Sequence, residues 1–402
     1  MLDGLRVLDL GPGIAPSFCA RLLADYGAEV IKVEPPGEGD PARRMGPFVG
    51  DDPHPEKSIP FLYLNTGKRG VTLDYSGASG RALLHRLLDD ADVLVEGFAP
   101  SEAEGSAISY KTLSESHPRL VVTSVTPFGQ DGPYRDFQAT DIITCAMSGL
   151  MYHSGDSDRE PLRNALDQSL YVAGANAAAA TLVAVFARLA SGEGQHVDVS
   201  VAECFAAHLV QPVPYYNYMG ATKGRRPVRG SGFEELMPAR DGYVVPSVQG
   251  SQPWETVADL IGLEELRDPR FASGAGRIAN GEELKALLIE GLAQWDRLPL
   301  FIASGERRLV FGMAQDAGDL LACPHLEARG FFREVEHPVA GAAAYAGMGA
   351  RLLQANGSGA QERPAQSTAP APLLGEHNSE VYGGKPGCDA EDLAALRYAG
   401  VI

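Results

Sequence analysis

Short apolar runs alternate with helical patterns through the first half of the chain, and this alternation restricts the possible folds more than any other feature. An apolar run over 5–10 is followed by a helical pattern over 15–26 and a second apolar run over 29–33. The alternation continues with a helical pattern over 81–88 and apolar runs over 92–95 and 120–124. Strands that alternate with helices of this length form parallel sheets wrapped by helices. The sequence therefore predicts the α/β class.

The middle of the chain changes in composition and predicts a second domain. Arg, Pro and Gly are concentrated over 225–232, and strand and helix patterns follow over 243–246, 254–261 and 283–295. After Phe331 the pattern is again β-rich, 355–371 has the composition of an extended crossing segment, and a last helix is predicted over 390–398. We therefore expect a large Rossmann-like parallel-sheet domain built from residues 1–200 and 330–402, and a smaller α+β domain over 225–325.

A long apolar helix is predicted from Gln168 to Ala190, where Gly192 closes it. It is apolar on nearly every side, which is typical of a buried helix. We count no run of the roughly 18 apolar residues that a membrane span needs. The N-terminal segment also lacks the basic and apolar parts of a secretion signal. The expected location is therefore the cytoplasm.

The charge balance and the cysteines exclude several classes of partner. Asp and Glu total 52 against 34 Lys and Arg, and the net charge of −18 repels phosphate backbones and anionic lipid surfaces. We therefore expect neither nucleic acid nor a membrane as a partner. The five cysteines have no CxxC pair and no His at metal-ligand spacing, so they are interpreted as reduced packing thiols and no metal site is predicted.

Two glycine motifs resemble nucleotide-binding sequences but lack essential positions. Gly11-Pro12-Gly13 follows a predicted strand, yet the third glycine of a dinucleotide fingerprint is missing and prolines interrupt the turn. Gly67-Lys68-Arg69 lacks the upstream glycine and the following Ser or Thr of a P-loop. Turns are the simpler interpretation of both motifs.

Other polar residues have a structural and a functional interpretation. Asp167 stands at the start of the long predicted helix, where a carboxylate caps unpaired backbone N–H groups. The scattered basic residues are interpreted as solvated surface, with anion binding as the alternative; they are Arg43, Arg44, Lys68 and Arg69. Four histidines have no evident acid or thiol partner along the sequence and are interpreted as structural, namely His153, His196, His325 and His377.

Short motifs spread over the whole chain form a more specific set. The longest lie at 2–9, 22–34 and 91–96, and further blocks lie at 65–69, 128–134, 148–151, 192–195, 241–243 and 372–377. Together they resemble the class III CoA-transferase (CaiB/BaiF) family. The resemblance implies a large domain made from both chain ends, a small middle domain, and two ring-shaped subunits interlocked as a dimer. It also implies CoA transfer between carboxylic acids, with a CoA thioester as substrate and no cofactor.

In the family, an Asp carboxylate attacks the acyl-CoA thioester and carries the covalent intermediates. The resemblance places that position at Leu170, which lies four residues before Gly174 and eighteen before Arg188. A leucine side chain has no lone pair, so no catalytic residue is expected at this position. Asp167 lies about one helical turn earlier and is the fallback nucleophile only if the backbone shifts by that turn.

The positions that bind CoA in the formyl-CoA transferase branch match residues without a positive charge in this chain. Residues 101–104 add negative charge beside Gly105, which repels nucleotide phosphates. Loss of the nucleophile together with the phosphate contacts indicates one degenerate site. Gly230 and Gly232 correspond either to the Gly-rich loop that covers the family's site or to a domain-linking turn. The matched CoA positions are Pro35, Ser76, Gly97, Phe98, Gly105 and Gln138.

Three functions follow from the resemblance. The first is the non-catalytic subunit of a heteromeric CoA-transferase, partnered by a related chain that carries the Asp. In this interpretation the chain resembles the Asp-lacking subunit of the family member that moves CoA from succinyl-CoA to benzylsuccinate in anaerobic toluene breakdown. The second is an active homodimer that uses Asp167. The third is an α-methylacyl-CoA racemase, but Thr140 stands where a racemase carries its proton-transferring His.

Overall fold

The computed structural model describes residues 1–225, 235–247, 253–350, 353–356, 359–362 and 369–402. These residues form two compact units. The larger unit comprises Met1–Ser154, Pro161–Lys223 and Arg329–Ile402, and the smaller comprises Gly155–Glu160 and Gly224–Ala328. The larger unit thus contains both ends of the chain.

A six-stranded parallel sheet forms the centre of the larger unit. Its strands are β1 (Arg6–Asp9), β2 (Glu29–Glu34), β3 (Arg69–Thr72), β4 (Val93–Glu96), β5 (Val121–Thr126) and β6 (His196–Ser200). Their spatial order is β3-β2-β1-β4-β5-β6, and every neighbouring pair is parallel. In chain order, β2 and β3 therefore lie on one side of β1, and β4, β5 and β6 lie on the other side. The predicted α/β class is confirmed.

Helices cover both faces of this sheet because successive residues of each strand point to opposite sides. Leu8 packs in a cluster with residues of α3 (Ala78–Leu88) and α16 (Asn378–Gly383), whereas its neighbour Val7 packs in a second cluster with α1 (Ala15–Asp25) and α7 (Gln168–Ser191). The helices of the larger unit are α1 (Ala15–Asp25), α2 (Ile59–Leu64), α3 (Ala78–Leu88), α4 (Pro100–Ala103), α5 (Tyr110–Ser116), α6 (Asp141–Met147), α7 (Gln168–Ser191), α8 (Val201–Ala206), α9 (Pro212–Met219), α16 (Asn378–Gly383) and α17 (Ala390–Tyr398).

Helix α7 is the long predicted helix, and it packs closely on α1. A Cβ atom at Gly174 would lie 2.6 Å from the Ala15 carbonyl oxygen, so this glycine permits the close approach of the two helices. The opposite side of α7 is open, because Val183, Phe186 and Leu189 are 69%, 75% and 76% exposed. The expectation of a helix buried on all sides is therefore wrong for this face.

By length and composition alone, α7 would suffice to cross a membrane, with 24 residues and a mean hydropathy of 1.8 in its apolar window. This average includes polar residues such as Asn176 and Thr181, so it differs from the count of consecutive apolar residues used in the sequence analysis. In the fold, α7 leads into β6 and packs against the sheet. Thr181 hydrogen-bonds to Thr123 of β5 at 2.7 Å, and the Arg188 guanidinium pairs with Asp92 at 2.8 Å.

The described part of the smaller unit contains a three-stranded antiparallel sheet and six α-helices, and one apolar cluster in it includes Trp254 and Phe271. Its elements are β7 (Met237–Ala239), β8 (Gly242–Ser247), β9 (Val310–Met313), α10 (Trp254–Ile261), α11 (Gly274–Ala279), α12 (Gly281–Leu292), α13 (Arg297–Glu306), α14 (Ala317–Leu321) and α15 (Pro324–Ala328). Two hairpins follow in the larger unit: β10 (Phe332–His337) with β11 (Gly341–Ala346), and β12 (Leu353–Asn356) with β13 (Gly359–Glu362).

Cys19 lies at the centre of the larger unit, and burial raises the pKa of its thiol from 9.0 to about 12. The unfolded chain therefore loses this proton near pH 9, while the folded chain keeps it. The stability that depends on the thiol is complete below pH 9 and falls by about 1.4 kcal/mol per pH unit between pH 9 and 12. Urea unfolding at pH 8 and pH 10 should show a smaller alkaline loss in Cys19→Ala and Cys19→Ser than in the wild type. An equal loss in all three proteins would contradict this expectation.

Candidate functional site

The carboxyl ends of β1 and β4 meet where the strand order reverses, which is the usual position for a ligand crevice in such sheets. The loops that follow these strands approach each other at Pro16. A Cβ atom at Gly11 would lie 2.2 Å from the Pro16 Cβ, and one at Gly97 would lie 3.0 Å from the Pro16 Cγ. A side chain is excluded at Gly11, and one at Gly97 would crowd the Pro16 ring. Gly97, one of the predicted CoA positions, therefore lies in this crevice.

A buried network of charges orients the loop after β1. The Lys32 ammonium donates to the Gly11 carbonyl oxygen at 2.5 Å and pairs with Asp40 at 2.7 Å. Asp40 also accepts a hydrogen bond from the Gly13 N–H at 3.1 Å. Lys68 pairs with Asp9 at 2.7 Å, and burial lowers the pKa of Lys68 to about 8. Lys32 and Asp40 therefore bond to the backbone groups of Gly11 and Gly13, which would otherwise be hydrogen-bonded to water.

The interpretation of the basic residues as solvated surface is wrong for Lys68 and for Arg43. The Arg43 guanidinium is fully buried and binds both carboxylate oxygens of Glu34, at 2.6 and 2.8 Å, and one of Glu56 at 2.7 Å. It also lies 3.7 Å from the centre of the Phe61 ring. Neither residue is available to an added anion. Arg44 is exposed, as expected, and donates to a backbone carbonyl.

Leu170 lies in the first turn of α7 and packs, half-buried, against the apolar cluster shared with α1. Its neighbour Tyr171 contacts Phe18 of α1, with ring centroids 5.0 Å apart. Because α7 ends just before β6 begins, its N-terminal turn lies at the carboxyl edge of the sheet. Leu170 is therefore at the same edge as Gly97.

Asp167 precedes α7 but does not cap it, so the N-cap interpretation is wrong. Its backbone is left-handed, with φ 53° and ψ 38°, and its side chain accepts no hydrogen bond from the helix. The carboxylate is 40% exposed, and one of its oxygens lies 4.0 Å from Arg163 Nη1. Capping residues usually have an extended backbone, and the left-handed backbone of Asp167 departs from that geometry.

Asp141 supplies the missing acceptor, and the sequence did not reveal this role. Its Oδ1 atom accepts hydrogen bonds from the Ser169 hydroxyl at 2.7 Å and the Ser169 N–H at 3.1 Å. Its Oδ2 atom is buried without a hydrogen-bond partner among the described residues, and Arg163 Nη1 lies 3.5 Å from Asp141 Oδ2. A buried carboxylate, one oxygen of which lacks a hydrogen bond among the described residues, thus contacts Ser169, the residue that precedes Leu170.

The other predicted CoA positions lie on loops at this edge. Phe98 packs in the apolar core, and its N–H donates to Glu96 at 2.8 Å. The Ser76 N–H donates to Asp74 at 2.9 Å. The remaining predicted positions are exposed, namely Pro35, Ser76, Gly105 and Gln138. Gly230 and Gly232 lie outside the described residues.

Arg135 is a cation in this region that the sequence did not single out. It pairs with Glu104 at 2.8 Å and with Asp136 at 3.2 Å, and Asp136 also accepts the Ser101 N–H at 2.9 Å. The acidic segment beside Gly105 is therefore partly neutralised within the chain itself. These ion pairs occupy the Arg135 guanidinium, which would otherwise attract a phosphate.

A second polar cluster lies on the opposite face of the sheet from α7. Burial raises the pKa of Glu96, although a hydrogen bond from Ser124 lowers it. The Ser124 hydroxyl contacts His196 Nε2 at 2.8 Å, and the His196 ring stacks on Tyr110 at 4.6 Å. His196 therefore has a hydroxyl partner and an aromatic contact in the tertiary structure, which agrees with a structural role.

Comparison with known proteins places the whole chain in one family. Residues 2–378 match CoA-transferase family III. The chain is 32% identical to succinyl-CoA–D-citramalate CoA-transferase of Chloroflexus aurantiacus, over 100% of this chain and 98% of that protein. It is 31% identical to subunit BbsE of succinyl-CoA:(R)-benzylsuccinate CoA-transferase of Thauera aromatica, over 94% and 92%. The crystal structure of a CAIB/BAIF family protein from Brucella suis superposes with a TM-score of 0.84 at 28% identity, over 96% and 99%. The chain therefore belongs to CoA-transferase family III, as its motifs predicted.

Proposed function

We propose that this chain is the non-catalytic subunit of a heteromeric CoA-transferase and acts with a related chain that carries the nucleophilic Asp. The complex would move CoA between succinyl-CoA and a carboxylic acid such as benzylsuccinate. The single observation that carries the proposal is Leu170, an aliphatic side chain in the first turn of α7, at the carboxyl edge of the sheet. The chain is also 31% identical to BbsE, which is named as one subunit of such a transferase, and this supports a heteromeric assembly.

The chemistry explains why this residue decides the assignment. A carboxylate oxygen attacks the thioester carbonyl carbon, and the C–S bond breaks to release the CoA thiolate and leave a mixed anhydride. The thiolate then attacks the carbonyl of the enzyme carboxyl group, which forms an enzyme thioester and releases the first acid. The acceptor acid reverses these two steps. The Leu170 side chain offers no electron pair for the first step, so the partner's carboxylate would perform it.

Apolar surface on the larger unit supports a subunit contact. Val183, Phe186 and Leu189 form an exposed row on α7. On α9, Tyr216, Tyr218 and Met219 are 58%, 87% and 66% exposed. Exposed apolar patches of this kind are typical of subunit interfaces. We propose that a homologous CoA-transferase chain covers them, in the interlocked ring dimer that the family resemblance implies.

The alternative is an active homodimer that uses Asp167. One observation favours it: the carboxylate is 40% exposed and makes no capping hydrogen bond, so a substrate has access to it. Asp167 lies three residues before Leu170 and has a left-handed backbone, so the thioester would have to approach it from another direction than a carboxylate at position 170. The two functions use different nucleophiles, and one experiment with an Asp167 variant therefore separates them.

The chain purified alone should transfer no CoA from succinyl-CoA to carboxylic acids, whereas co-expression with an Asp-bearing paralogue should yield an active complex. Formation of the new acyl-CoA, followed by liquid chromatography, measures the transfer. Asp→Asn in the paralogue should abolish activity, and Asp167→Asn in this chain should leave the complex active. Transfer by the lone chain that is lost in Asp167→Asn would instead establish the homodimer.

A further inference from the structure

Two buried arginines share a single carboxylate between α1 and β10. Arg21 and Asp25 lie one helical turn apart on α1, and Arg333 reaches them from β10. Arg21 Nε lies 3.5 Å from Asp25 Oδ2, and Arg333 Nη2 lies 3.2 Å from Asp25 Oδ1. The three side chains are only 2%, 4% and 11% exposed, for Arg21, Asp25 and Arg333. The cluster therefore buries one positive charge more than it neutralises.

The arginines also lack hydrogen-bond acceptors. Arg21 Nη2 donates to the Ala346 carbonyl oxygen at 3.3 Å. The Nε and Nη1 atoms of both Arg21 and Arg333 are buried without a hydrogen-bond partner among the described residues. Buried donors are almost always paired in folded proteins, and an unpaired buried guanidinium is unfavourable. Four buried guanidinium nitrogens that lack a hydrogen bond, beside a surplus positive charge, indicate that a further anionic acceptor belongs here.

Tyrosines connect this cluster to the neighbourhood of Leu170. The Arg21 guanidinium carbon lies 3.7 Å from the centre of the Tyr63 ring, and the Tyr63 and Tyr171 rings are 6.5 Å apart. Tyr171 follows Leu170 in α7. Tyr345 is the cross-strand partner of Arg333. The three tyrosines are half-buried, and Tyr63 and Tyr171 link the Arg21 guanidinium to the residue that follows Leu170.

We propose that Arg21 and Arg333 bind one carboxylate of a dicarboxylic acid whose other carboxylate extends toward position 170. This proposal names the substrate class and rests on the proposed function. Each guanidinium keeps its positive charge and can donate a charge-assisted hydrogen bond to a carboxylate oxygen. One added carboxylate neutralises the surplus charge and accepts the unpaired donors. A monocarboxylic acid that extends toward position 170 leaves this subsite unfilled.

The test is direct binding of succinate to the full chain by isothermal titration calorimetry, which needs no catalytic turnover. Succinate should bind, and butyrate, which has the same chain length and one carboxylate, should bind at least about tenfold more weakly. Arg21→Gln and Arg333→Gln should each weaken succinate binding by about 10- to 100-fold, because each removes a charge-assisted hydrogen-bonding group. Arg86→Gln on α3 is the matched control, and it should bind succinate as the wild type does.

Asp25→Asn distinguishes a binding site from a purely structural ion cluster. Removal of the competing carboxylate should tighten succinate binding, and Arg333→Lys should retain part of it while keeping the charge that the fold requires. Equal affinity for succinate and butyrate, equally tight binding of inorganic phosphate, or unchanged affinity in Arg333→Gln would each overturn the proposal. Succinate binding without transfer by the co-expressed complex would refute the proposed function alone. Transfer by the co-expressed complex, without any binding of succinate to this chain, would refute this inference alone.

Discussion

Leu170→Asp should give this chain a covalent adduct with succinyl-CoA that the wild-type chain does not form. The new carboxylate would lie in the first turn of α7, where the helix dipole favours a negative charge. It would supply the electron pair that attack on the thioester requires. Transfer by the variant should exceed the background of the lone wild-type chain by at least about 1,000-fold, since the loss of a nucleophile removes catalysis by orders of magnitude.

The adduct can be located by borohydride reduction followed by peptide mass analysis. Leu170→Asn is the matched control, because it has nearly the same shape as the Asp variant but no anionic oxygen. It should form no adduct. A modified Asp167 in the wild-type chain would contradict the assignment of position 170, and so would a well-folded Leu170→Asp variant that binds succinyl-CoA without forming an adduct.

Arg43→Met should destabilise the larger unit by about 3–5 kcal/mol, because it leaves Glu34 buried without its cation. Glu34 and the Arg43 side chain are fully buried, and the guanidinium also donates to the Pro372 carbonyl oxygen at 3.1 Å. The ion pair therefore joins the N-terminal half of the sheet to the returning C-terminal segment. Urea unfolding followed by circular dichroism measures the effect.

The double variant Arg43→Met with Glu34→Gln should be less destabilised than Arg43→Met alone, since no unpaired charge then remains buried. Arg44→Met provides the matched control, because the neighbouring Arg44 is exposed and should change stability by no more than about 0.5 kcal/mol. Equal losses for the two single variants would show that burial of the Arg43 ion pair contributes nothing specific.

Several elements of the fold were predictable because their signals are local. The helices over Trp254–Ile261 and Ala390–Tyr398 have the predicted bounds, and α7 begins at the predicted Gln168. Hydrophobic periodicity and nearby glycines determine such elements without reference to the rest of the chain. The open side of α7 was not predictable, because periodicity describes which residues are apolar and not which neighbours cover them.

The candidate site also contains residues that the sequence identifies and residues that only tertiary contacts identify. The proposal that Leu170 occupies the nucleophile position rests on the sequence alone, because it needs only an identity at a position counted from nearby motifs. Asp141 could not be identified as the acceptor for α7, since it contacts Ser169 across 28 residues of chain. Asp167 was assigned that role because capping was inferred from adjacency, and the left-handed backbone that prevents it depends on how the preceding segment packs.

The sequence alone determined the α/β class, the family and the absence of a carboxylate at position 170, because these depend on residue identity and short-range pattern. Only the tertiary structure decided the state of the charged residues. Arg43 and Lys68 resemble solvated surface cations in the sequence but are buried and paired, and Arg21 meets Arg333 across more than 300 residues. The free energy of a charge is set by its burial and by the partners that folding brings to it, and neither is contained in its local sequence.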